Sequence, residues 1–83
     1  MDRCDLGAEY KANPRQVSFN FWVEDVLCSG TISGDALDKL AGGDAGLRAG
    51  CLASYKKNWE QIHGIASLKL AAGLAPQISL LDV

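Results

Sequence analysis

The chain predicts a small α+β domain on three observations. Apolar and polar residues alternate strictly from Val17 to Ile32, two later segments carry apolar residues at helical spacing, and a short apolar segment, Gln77 to Leu81, follows a proline. The predicted order is β-β-α-α-β, a small antiparallel sheet covered on one face by two helices. All 83 residues form one domain, of which residues 1–16 are the least organised.

Residues 1–16 end in Ala12-Asn13-Pro14-Arg15, a turn signal in which the proline biases Asn13 toward extended geometry. Upstream of it there is room for a short edge strand around Cys4–Leu6. From Val17, side chains divide cleanly: Val17, Phe19, Phe21 and Val23 on one face, Ser18, Asn20 and Trp22 on the other. A two-residue turn at Glu24-Asp25 brings Val23 opposite Val26. It then pairs Trp22 with Leu27, Phe21 with Cys28, Asn20 with Ser29, Phe19 with Gly30, Ser18 with Thr31 and Val17 with Ile32. A slip of one residue would mix the faces, so polarity selects this register. Glu-Asp lacks the glycine that tight hairpin turns favour, which keeps a four-residue loop open as the alternative.

Ser33 is placed to cap a helix whose apolar stripe is Ala36, Leu37 and Leu40, and Gly42-Gly43 ends it. Four glycines between Gly42 and Gly50 make that stretch mostly loop, since glycine costs a helix interior about 1 kcal/mol relative to alanine. A second helix begins between Asp44 and Cys51 and runs to Ala72. Its buried stripe is Leu52, Tyr55, Trp59, Ile62, Ala66 and Leu70, widened by Ile65. Gly73 and Pro76 stop it, and Gln77 to Leu81 is the final strand.

Composition excludes several classes of function. Hydrophobic residues make up 48% of the chain and charged ones 22%, which is a folding composition and not a disordered one. The formal charge of −2 has the wrong sign for a protein devoted to phosphate backbones, so nucleic-acid binding through Lys56, Lys57 and Lys69 is the weakest of the readings kept. The least polar stretch, Leu70 to Ala75, is far short of the roughly 20 residues that span a membrane. Met1-Asp2-Arg3-Cys4-Asp5 does not resemble a signal peptide, and Cys4, Cys28 and Cys51 form no Cys-x-x-Cys pair. Reduced thiols in a cytoplasm are expected.

Several segments resemble the small bacterial proteins grouped as domain-of-unknown-function family 1488. They are Val17-Ser18-Phe19, Thr31-Ile32-Ser33-Gly34-Asp35-Ala36-Leu37, the helix from Leu52 to Ile62, and Ile78-Ser79-Leu80-Leu81. The resemblance implies a compact α+β domain of bacterial, cytoplasmic origin with no established activity, and it supplies no catalytic residue. The chain departs from that pattern at the hairpin tip, which is Glu24-Asp25 where Asp-Gly is usual. It departs again at Gly30, where relatives often carry a cysteine, and at Cys4-Asp5-Leu6-Gly7, which replaces a more apolar opening strand.

No reactive constellation is expected. The lone histidine, His63, falls on the margin of the second helix. Cys51 lies 12 positions earlier, about 18 Å along a helix axis, so the two cannot form a nucleophile pair. No histidine or cysteine occurs at metal-ligand spacing, and the run from Gly42 to Leu47 lacks the Gly-Lys-Ser/Thr ending of a phosphate loop. No catalytic, cofactor-binding or metal residue is therefore assigned. What stands out is Trp22 beside Leu27 on the otherwise polar hairpin face, a surface for a second copy or another protein partner unless the first sixteen residues fold back over it. The expected function is non-enzymatic binding with self-association. A thiol-based redox sensor using Cys51, near a helix N-terminus where a thiolate is favoured, is the alternative.

Overall fold

A computed structural model describes residues 2–83. Four strands and two helices follow one another as β1 (Glu9–Ala12), β2 (Arg15–Val23), β3 (Val26–Ser33), α1 (Gly34–Ala41), α2 (Arg48–Ala71) and β4 (Gln77–Ile78), with a closing 3-10 turn at Leu80–Asp82. The sheet order is β1-β2-β3-β4. The architecture is α+β as expected, with three differences. The N-terminal strand lies at Glu9–Ala12, not around Cys4–Leu6. The final strand is two residues long because the chain turns into the 3-10 segment after Ser79. And β4 runs parallel to β3, so the sheet is mixed and not purely antiparallel.

The β2–β3 hairpin has the expected register at every pair from Val17↔Ile32 to Val23↔Val26. Its turn has two residues, and Glu24 takes the left-handed φ of 55°. A positive φ is what the two-residue turns of twisted hairpins call for, here adopted without glycine. β1 pairs with β2 through Glu9↔Ser18 to Ala12↔Arg15, across a turn containing a cis Asn13–Pro14 bond.

Ser33 caps α1 as the sequence predicts: its hydroxyl oxygen accepts the Ala36 N–H at 3.2 Å, and Gly42 closes the helix at φ 80°. α2 bends at Asn58, whose φ and ψ of −113° and 17° leave the helical region and whose side-chain amide donates to the Ser54 carbonyl at 2.9 Å. Before the bend the buried residues are Cys51, Ser54 and Tyr55; after it they are Ile62, His63 and Ala66.

Both helices cover one sheet face. The core joins Val17, Phe19, Phe21 and Ile32 to Ala36 and Leu37 of α1, to Cys51, Tyr55, Ile62 and Ala66 of α2, and to Ile78. Coverage fails toward the hairpin tip, where Val26, expected on the buried face, is 63% exposed. Gly30 is required where β3 meets the C-terminal segment, since a Cβ there would lie 2.8 Å from the Pro76 carbonyl and 3.0 Å from the Phe19 ring.

Candidate functional site: the open sheet face and its N-terminal clasp

The face of the sheet away from the helices carries Ser18, Asn20, Ser29 and Thr31, interrupted by Trp22 and Leu27, which are cross-strand partners as expected. β1 is too short to cover all of β2, and residues 2–7, which turn at Leu6-Gly7, complete that edge. Asp5 Oδ2 accepts the Asn20 N–H at 2.8 Å and Asp2 Oδ1 accepts the Trp22 N–H at 3.0 Å, while Asp5 Oδ1 also accepts from Gly7 N–H at 2.9 Å. Two carboxylates thus stand in for the carbonyls of a missing strand.

The fold-back considered for the N-terminal residues therefore occurs, but it leaves the apolar pair open. Cys4, Leu6, Trp22 and Leu27 line a shallow cavity of about 530 Å³ with Arg3 at its rim. Trp22 is half-buried, whereas Leu27 and Leu6 remain 53% and 82% exposed. On the same face a second trough of about 280 Å³ is floored by Ser18, Asn20, Ser29 and Thr31, with Asp5 and Glu9 among its walls. Ser29 Oγ donates to Asn20 Oδ1 at 2.9 Å across that floor.

The same N-terminal segment reaches the core through His63. This residue is buried, not marginal as its helical position suggests, because Phe19, Tyr55, Trp59 and Asp2 enclose it. Phe19 stacks on its ring at 5.1 Å and 12°, and Trp59 meets it edge-on at 5.3 Å. His63 Nδ1 lies 3.0 Å from Asp2 Oδ2, and Nε2 lies 2.6 Å from the Tyr55 hydroxyl, which also receives the Asp5 N–H at 3.0 Å. With the proton on Nδ1, His63 donates to Asp2, Nε2 accepts from Tyr55, and the phenol oxygen accepts from Asp5. This tautomer gives every donor an acceptor.

The electrostatics keep this chain of contacts closed. Burial opposes the charge on Asp2, but the Trp22 N–H, the hydrogen bond from His63 and the Arg3 N–H outweigh it, holding the carboxyl below its usual range. Burial drives the Tyr55 phenol well above its ordinary value, with the Asp5 N–H opposing and nearby Cys4, Asp5 and Asp2 adding to the rise. Burial likewise raises the Cys4 thiol. Tyr55 and His63 are enclosed, so the arrangement fastens residues 2–5 to the core.

Cys51 occupies the first turn of α2, as expected, and is fully buried. Its thiol donates to the Gly46 carbonyl at 3.4 Å, and Arg15 Nη2 lies 3.5 Å from its sulfur. Arg15 also forks onto Asp38 at 2.9 and 3.2 Å and donates to Gly46 O at 2.6 Å, while Asp38 Oδ1 accepts the Ala45 N–H at 2.9 Å. Foremost among the causes, the Asp38–Arg15 hydrogen bond lowers the carboxyl's pKa and raises that of the guanidinium. Of the three lysines considered for nucleic acid, Lys69 is engaged, its ammonium 2.9 Å from Asp82 and from the Gln77 carbonyl. Among the described residues no cluster of three or more histidine, cysteine or carboxylate side chains could hold a metal ion, and no helix is long and apolar enough to cross a membrane.

Fold and site together define a small α+β chain with a four-stranded mixed sheet, two helices on one face and a partly apolar open face on the other. None of the family models, curated proteins or solved structures compared with the chain matches it.

Proposed function

We propose that the chain is a non-enzymatic binding module of a bacterial cytoplasm that works by self-association, using the open sheet face around Trp22 and Leu27. The observation that carries this reading is the apolar group Leu6, Trp22 and Leu27 on a cavity of that face, where the N-terminal segment satisfies the strand edge but leaves Leu6 and Leu27 exposed and Trp22 half-buried. The enclosure of Tyr55, His63 and Cys51 supports a role without chemistry. The resemblance to domain-of-unknown-function family 1488 is the basis for the bacterial and cytoplasmic setting. Sedimentation equilibrium tests the reading: a dimer at tens of micromolar, weakened by Trp22→Ala, is expected, and a wild-type monomer removes it.

A thiol sensor centred on Cys51 is the second reading, favoured by the Arg15 guanidinium beside its sulfur. It requires the Gly42–Leu47 loop to open. Native-state alkylation measures that opening, and a Cys51 modified only as fast as the protein unfolds rules the sensor out.

A further inference from the structure

Both tryptophans of the chain, Trp22 and Trp59, line one cavity of about 340 Å³ where the edge of β2 meets α2. It shares only Trp22 with the cavity of Leu6 and Leu27. Its volume is at the small end of the about 300–1,000 Å³ that small-molecule sites occupy. Asp2 and Glu60 also line it and no lysine or arginine does, so two formal negative charges stand beside two indoles. Gly64, one helical turn after Glu60, leaves room there, for a Cβ at that position would meet nothing within 4 Å.

The members of this cavity are fixed by contacts within the chain. Asp2 Oδ1 accepts the Trp22 N–H at 3.0 Å, and Oδ2 lies 3.0 Å from His63 Nδ1. His63 in turn meets the Trp59 ring edge-on at 5.3 Å. A ligand therefore finds an arrangement with little side-chain freedom left to lose.

The same contacts select the kind of ligand. The Asp2 oxygens already receive the Trp22 and His63 donors, yet the carboxylate's charge is not cancelled, because a His63 that accepts from Tyr55 at Nε2 is neutral. Glu60 is exposed and, among the described residues, enters no ion pair. What Asp2 offers is thus charge more than hydrogen bonding, and the indoles offer the aromatic surface that attracts cations most strongly. A primary ammonium or a guanidinium needs acceptors for its N–H groups. An ammonium whose nitrogen carries only methyl and methylene groups has no N–H to satisfy, and charge with aromatic surface is what it requires.

We propose that this cavity binds a quaternary ammonium group, the trimethylammonium head of a choline-like small molecule or of a trimethylated lysine side chain. The inference goes beyond self-association and does not depend on it, since Glu60 and Gly64 take no part in the cavity of Leu6 and Leu27.

Because the chain has two tryptophans and both line the cavity, its indole N–H signals in nuclear magnetic resonance report on this site directly. Titration with tetramethylammonium or choline chloride is expected to shift both signals saturably, with a dissociation constant below about 1 mM. Dimethylbutanol, in which carbon replaces the choline nitrogen, and sodium chloride at equal ionic strength are expected to give no saturable shift. Glu60→Gln removes one charge and is expected to weaken binding at least threefold. Gly64→Gln is expected to weaken it at least tenfold, because a helical side chain leans over the preceding turn and would extend toward Glu60. Neither variant should lower Tm, since Glu60 enters no ion pair among the described residues and the Gly64 Cβ is unobstructed. A trimethyllysine peptide that binds more tightly than choline assigns the head group to a protein tail, and the reverse order assigns it to a free small molecule. No saturable binding of tetramethylammonium, equal affinity for dimethylbutanol, or an affinity unchanged in both variants overturns the site, whatever the oligomeric state.

Discussion

Two glycines in the same helix respond in opposite senses to the same substitution. At Gly64, in the exposed interior of α2, a Cβ would meet nothing within 4 Å, so Gly64→Ala gains the propensity difference of about 1 kcal/mol. At Gly50 the same gain is available, but the Cβ would occupy the position of the Ala45 carbonyl oxygen. That carbonyl cannot simply retreat, since the Ala45 N–H is held by Asp38, and the next residue's carbonyl is held by Arg15 and Cys51. Moving the loop sacrifices a hydrogen bond to a charged acceptor, about 1.5–3 kcal/mol and nearer the lower figure for a part-exposed group. Residual crowding adds about 1–3 kcal/mol. Set against the propensity gain, Gly50→Ala is expected to destabilise by about 2 kcal/mol. At about 4–8 °C per kcal/mol for a domain of this size, Tm falls by about 8–16 °C, whereas Gly64→Ala raises it by about 4–8 °C. Thermal melts followed by far-ultraviolet circular dichroism read both. A Gly50→Ala protein as stable as wild type would refute the placement of the Ala45 carbonyl and the rigidity assigned to the Arg15–Asp38 loop.

Tyr55→Phe deprives His63 Nε2 and the Asp5 N–H of their shared partner and is expected to cost about 1–3 kcal/mol in urea unfolding, with faster hydrogen exchange in residues 2–7. Glu24→Gly relieves a left-handed residue costing about 1–2 kcal/mol, offset by about 0.5–1 kcal/mol of extra unfolded-state freedom, and so raises the urea midpoint by about 0.5 kcal/mol of stability. Acid loosens the N-terminal clasp. Because the Asp2 pKa is lowered in the folded chain, its stabilisation is complete above the ordinary carboxylate value of 3.8 and is lost as pH falls through the native one. Tryptophan fluorescence during acid titration should therefore change in this window, and Asp2→Asn should shrink the change.

Local pattern carried the hairpin because the two runs around Glu24-Asp25 keep a period of two except at Trp22 and Leu27, so that a slip of one residue would mix the faces and the two-residue turn sets the rest. It carried the first helix because Ser33 and Gly42 are chemically suited to its two ends. β1 escaped because Glu9-Tyr10-Lys11-Ala12 shows one large apolar residue and is exposed along most of its length. The parallel β4 is set by where the Pro76 carbonyl meets Thr31, a distant contact with no local signature. His63 escaped because an ideal cylinder places it at the stripe's edge and its cover comes from Phe19 and Asp2, distant in sequence, and the bend at Asn58 escaped with it. Only the ability of Asn58 to bond its own backbone hinted at that bend. Asp2 and Asp5 read as solvated charges, and nothing near them in the chain announces that they complete a strand edge.

The tie between Asp2 and His63 joins positions 61 apart. A chain emerging from the ribosome amino end first will have made the hairpin and α1 before the histidine and tyrosine exist, so its opening residues must stay loose until most of the polypeptide has been synthesised. This early-made stretch is among the last to be placed, and until it docks, the Asn20 and Trp22 side of the sheet is open to stray pairing.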